Sequence, residues 1–80
     1  MVLVIKKDGS CITFNMANKI DEKNYIKRFS EIPETASIDL KQKGKYPKKD
    51  ILFIFWVKDK DDAKEKTKEF FSFIKRVFSS

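Results

Sequence analysis

Seven apolar residues in a row, Ile51-Leu52-Phe53-Ile54-Phe55-Trp56-Val57, constrain this chain more than any other feature. The run is too short to cross a bilayer, and its β-branched and aromatic content marks a strand over 51–57. Side chains alternate along a strand. Ile51, Phe53, Phe55 and Val57 therefore fall on one face, and Leu52, Ile54 and Trp56 on the other. A strand apolar on both faces requires cover on both. The 80 residues of the chain make one domain, 1–80, with room for a single core. Eight Phe, two Tyr and one Trp supply large side chains with which a thin core can exclude water.

Upstream, Val2 to Lys6 reads as a first strand and Cys11 to Met16 as a second. Lys7-Asp8-Gly9-Ser10 joins them, and Asp-Gly between apolar runs marks a hairpin because glycine accepts positive φ. In the second strand Ile12, Phe14 and Met16 point inward, so one face of the hairpin is expected in the core and the other in water. Tyr25, Ile26 and Phe29 recur at helical spacing, which predicts a helix over 22–31, capped by Asn18 or Asp21 and stopped before Pro33. Ala36, Ile38 and Leu40 alternate with polar residues as a third, half-buried strand. The strand over 51–57 is expected to pair antiparallel with it.

The last element is the clearest helix. Asp61 and Asp62 stand where carboxylates cap free amides, and Lys75 and Arg76 where the helix dipole favours cations. Phe70, Phe71, Phe73, Ile74, Val77 and Phe78 form a broad apolar arc. Burying four phenylalanines at about 2 kcal/mol or more each makes this the main stabilising element. The expected fold is α+β in the order ββαββα. It comprises one four-stranded, mainly antiparallel sheet with the long C-terminal helix packed on one face.

Chemistry has little to work with. There is no histidine, so no side chain titrates near neutrality unless strongly perturbed. Asp61 and Asp62 point about 100° apart on a helix, which suits capping rather than acid–base work. The single cysteine, Cys11, has no base near it in sequence, and one Cys without His cannot build a zinc site. Neither an enzyme nor a cofactor, metal or small-molecule substrate is expected. With one cysteine and no secretory leader, the sequence reads as a cytoplasmic protein. No stretch reaches membrane-spanning length, and no membrane partner is expected.

Two surfaces remain as candidates. Leu52, Ile54 and Trp56 would form an apolar row for a protein partner or for self-association, provided that the helix over 22–31 leaves their face open. The expectation is an open face with Trp56 as its anchor. Alternatively, the net charge of +6 is concentrated in Lys41, Lys43, Lys45, Lys48 and Lys49, with Tyr46 among them. Such a loop can meet phosphates and stack a base, although lysine outnumbers arginine sixteen to two. The leading reading is a non-enzymatic binding module that occupies a surface of a larger protein or complex as inhibitor, adaptor or regulator. Nucleic-acid binding through residues 41–49 is the alternative.

Overall fold

The apolar run at the N-terminus, rather than the longer one near residue 54, becomes the axis of the structure. The computed structural model describes residues 1–40 and 44–78. Strand β1, Val2–Lys6, is central in a three-stranded antiparallel sheet of order β2-β1-β5, with β2 at Cys11–Phe14 and β5 at Ile51–Trp56. Val2, Leu3, Val4 and Ile5 are all buried. A strand with four consecutive apolar residues takes the position where both faces and both edges are covered. The expected wet face of the hairpin is therefore confined to β2, where Cys11 is exposed.

The hairpin turn follows its sequence signal. Gly9 sits at φ 91°, the Lys6 amide donates to the Ser10 carbonyl, and Asp8 accepts from the Ser10 amide and hydroxyl. Helix α1, Lys19–Glu31, starts earlier than the periodicity predicts because Asn18 is its cap, accepting from the Asp21 amide at 2.8 Å.

The single four-stranded sheet is corrected to two sheets. Strand β3, Ser37–Asp39, pairs antiparallel with β4, Lys45–Pro47, in a separate two-stranded ribbon. The stretch expected to be loop thus supplies the partner that β5 was expected to be. Gly44 at φ 93° and the Leu40 amide donating to its carbonyl help turn the chain back onto β3. A turn of 3-10 helix, Lys48–Asp50, then delivers β5 to β1.

A layer lies on each face of the larger sheet. Val2, Val4, Ile51 and Ile54 meet Ile38 and Leu40 of the ribbon, with Tyr25, Ile26 and Phe29 of α1 packed against them. On the other face Leu3, Ile5 and Val57 meet helix α2, Lys60–Phe78, through Ala63, Phe70 and Phe71. The long helix packs on one face of the sheet as its apolar arc predicts.

The strict alternation of residues 51–57 breaks at one place. Ile5 pairs with Phe53 but Lys6 with Ile51, so Leu52 is the extra residue of a β-bulge. The bulge turns Ile51 onto the α1 side, where it is buried, and Leu52 stays 39% exposed. Capping of α2 also shifts. Asp59 accepts from the Asp62 amide, and Asp62 accepts in turn from the Lys58 amide, both at 2.8 Å. Asp61 stays exposed in the first turn, where only the dipole favours it.

Candidate functional site

Leu52, Ile54 and Trp56 do not form one exposed row. Helix α1 and the β3–β4 ribbon lie over their face, leaving Ile54 only 7% exposed and Trp56 half-buried. The expected open face is corrected accordingly. Alternation within β5 was legible, but which layer would cover which face depends on where α1 docks.

Trp56 is instead part of a polar node centred on Glu22. Its indole Nε1 donates to Glu22 Oε1 at 3.0 Å, and the α-amino group of Met1 reaches the same oxygen at 2.7 Å. The Met16 amide donates to Oε2 at 3.0 Å. Lys19 Nζ stands 4.4 Å from the centre of the Trp56 ring, and Lys23 Nζ 5.6 Å. Burial pushes the Glu22 carboxyl up. The Met1 ammonium, the Met16 amide and the Trp56 indole outweigh it and hold the group below the ordinary glutamate value. Glu22 gave no signal in the sequence, because on a helical wheel it reads as one more charge of a polar face. The node joins the first residue, the first helix and the last strand, and every acceptor position it uses is filled from within the chain.

The described lysines of the 41–49 segment differ in their surroundings. Lys41 and Lys43 lie outside the described residues. Lys45 and Lys49 are exposed, whereas Lys48 donates to the Ile32 carbonyl at 2.6 Å and stands 5.1 Å over the Phe29 ring. Tyr46 packs against the core, and Lys6 Nζ lies 4.7 Å from its ring centre. A ring held this way presents little face to a base. Replacing Lys45 and Lys49 by Gln will leave the thermal midpoint within a degree or two. Lys48→Gln will lower stability by about 1 kcal/mol, the usual worth of one net hydrogen bond. Thermal unfolding of the two variants checks the contrast.

Cys11 Sγ is exposed and 3.9 Å from the Thr67 hydroxyl, which itself donates to the Ala63 carbonyl. Neither contact is with a base. A cleft of about 350 Å³ between α1 and β3 is lined by Tyr25, Arg28, Phe29, Ile32 and Ile38. Burial and the nearby Asp39 carboxylate push Tyr25 up to about 12, and its hydroxyl donates to the Asp39 carbonyl at 2.8 Å. That phenol is a structural tie rather than an acid at neutral pH.

Among the described residues, Phe78 at the end of α2 is the most exposed large apolar side chain, on an arc expected in the core. Phe70 contacts Phe53 and Phe55 at ring-centre distances of 5.3 and 5.6 Å. Thr67 is level with Cys11, which pairs with Ile5, and Ile5 pairs with Phe53. By Phe70 the helix has thus nearly reached the start of β5. The remaining residues to Phe78, just over two turns, run about 12 Å further. Phe73 and Phe78 are 60% and 82% exposed there, and Val77 52%. Among the described residues no helix is long and apolar enough to cross a membrane. Comparison with known proteins adds no relative to this picture: no family model, no curated protein and no solved structure matches the chain.

Proposed function

We propose that this protein is a non-enzymatic binding module whose docking surface is the overhanging end of α2. The observation that carries the reading is the exposure of Phe73 and Phe78 on a helix whose preceding turns are anchored in the core. Large aromatic side chains on a rigid, core-anchored helix lose little entropy on docking and are the type enriched at interface hot spots. The partner this surface suits is a larger protein with an apolar cleft edged by carboxylates. The net charge of +6 and the neighbouring Arg76 favour approach to an acidic rim. Binding of this kind acts by occupancy, as an inhibitor, adaptor or regulator does.

The test is retention of host proteins on immobilised chain after nuclease treatment, comparing the natural sequence with a Phe73→Ser, Phe78→Ser double variant. Both substitutions are on the surface, so the thermal midpoint will barely move. A set of proteins held at raised salt by the natural chain and lost from the double variant is the expected result. Equal retention by both chains removes α2 as the docking surface. Capture that disappears with nuclease or with salt returns the lysine-rich 41–49 segment and nucleic acid to first place.

A further inference from the structure

The backbone of β5 has an open edge, and we infer that a second copy of this chain pairs with it, antiparallel, about a two-fold axis at Ile54. The inference is independent of the α2 docking surface, which uses other residues.

The hydrogen-bond parity of the sheet shows which groups are available. The Val57 amide donates to the Met1 carbonyl at 2.9 Å, and β1 pairs with β5 in the register Leu3 with Phe55 and Ile5 with Phe53. Hydrogen-bonded pairs alternate in an antiparallel ladder, so Phe53 and Phe55 spend their amides and carbonyls on β1. The amides and carbonyls of Ile54 and Trp56 face the other way. β5 ends the sheet order, so no further strand of the sheet takes them. Ile54 and Trp56 thus meet the outside through their backbone, and Leu52 exposes its side chain.

Natural edge strands are usually blunted by proline, by charge or by a bulge. Residues 51–56 contain no proline and no charge, and the bulge at Leu52 perturbs only the first part of the edge. The opposite edge, β2, is shorter and carries Cys11 and Thr13. A second copy centred on Ile54 sets Ile54 against Ile54, Leu52 against Trp56, and Phe53 against Phe55. The first is a hydrogen-bonded pair, matching the Ile54 groups that face outward, and in the second Trp56 offers its own outward groups. The third is a non-hydrogen-bonded pair, where side chains come closest, and joins the stacked Phe53 and Phe55 rings of each copy across the seam.

Charge selects the direction. The ends of the strand carry Lys49-Asp50 and Lys58-Asp59. In this register Asp50 approaches Lys58 of the second copy, and Lys49 approaches its Asp59. All four are exposed, and none is in an ion pair among the described residues. A parallel arrangement would set Lys49 beside Lys49 and Asp59 beside Asp59.

Sedimentation and hydrogen exchange on the full chain decide the matter, run from about 1 µM to about 1 mM, the span over which a weak specific dimer saturates. The expected result is a monomer–dimer equilibrium in which the Ile54 and Trp56 amides gain protection with concentration and the Cys11 and Thr13 amides do not. Leu52→Lys, a charge placed at the open edge, will weaken dimerisation at least about tenfold, and Phe73→Ser will leave it unchanged. A chain that stays monomeric throughout overturns the inference. So does concentration-dependent protection at Cys11 and Thr13 instead, or loss of the dimer with Phe73→Ser. Exchange in the natural chain decides the question even where a variant folds poorly.

Discussion

A chain ending at Asp62 will show no cooperative thermal unfolding. Removing α2 takes Ala63, Phe70 and Phe71 from the face formed by Leu3, Ile5, Val57 and Phe55. That face then meets water across the whole sheet. A three-stranded sheet needs an apolar cover to be stable by itself, and a chain of this size is only marginally stable with one. The effect is resolved along the helix. Phe70→Ala will cost about 3 kcal/mol, because its ring contacts Phe53, Phe55 and Phe71. Phe73→Ala, three residues on and 60% exposed, will cost less than about 0.5 kcal/mol. Chemical denaturation of the two variants measures the difference. Equal losses would mean that the end of α2 belongs to the core after all.

Glu22→Ala will cost about 3 kcal/mol, as much as Phe70→Ala, although helix propensity favours alanine. The substitution leaves the Trp56 indole, the Met16 amide and the Met1 ammonium without their shared acceptor in a buried position. The pH dependence follows from the direction of the shift. The folded carboxyl titrates below its ordinary value of 4.5, so the ionised form contributes stability that is fully present above that value. It is lost as pH falls through the folded pKa. Acid unfolding of the natural chain will therefore steepen below about pH 4.5, and Trp56 emission will change over the same interval as its hydrogen-bond acceptor is protonated. In Glu22→Ala both features will flatten. A Trp56 signal that titrates identically in the variant would place its quencher elsewhere.

Much of the local structure was legible because it is decided within a few residues. Asp8-Gly9 makes its hairpin through the positive φ of Gly9, and Asn18 begins α1 with its own side chain. The apolar arc of α2 finds a sheet to cover.

Strand pairing was decided elsewhere. β3 and β5 both read as strands, but short loop closure gave β3 to Lys45–Pro47, and the doubly apolar β1 took β5. Once β5 lay beside β1 rather than inside the sheet, Leu52, Ile54 and Trp56 acquired an edge. The docking of α1 then covered their side chains. Glu22 became a buried anchor for the same reason: three donors from distant parts of the chain converge on it, and no local pattern records that convergence. Both helices and the strands other than Lys45–Pro47 could be read from side-chain period and turn chemistry, as could their apolar faces up to the bulge at Leu52. Tertiary structure alone decided which apolar residues are covered and which backbone groups stay open, because both depend on the order in which strands are laid side by side.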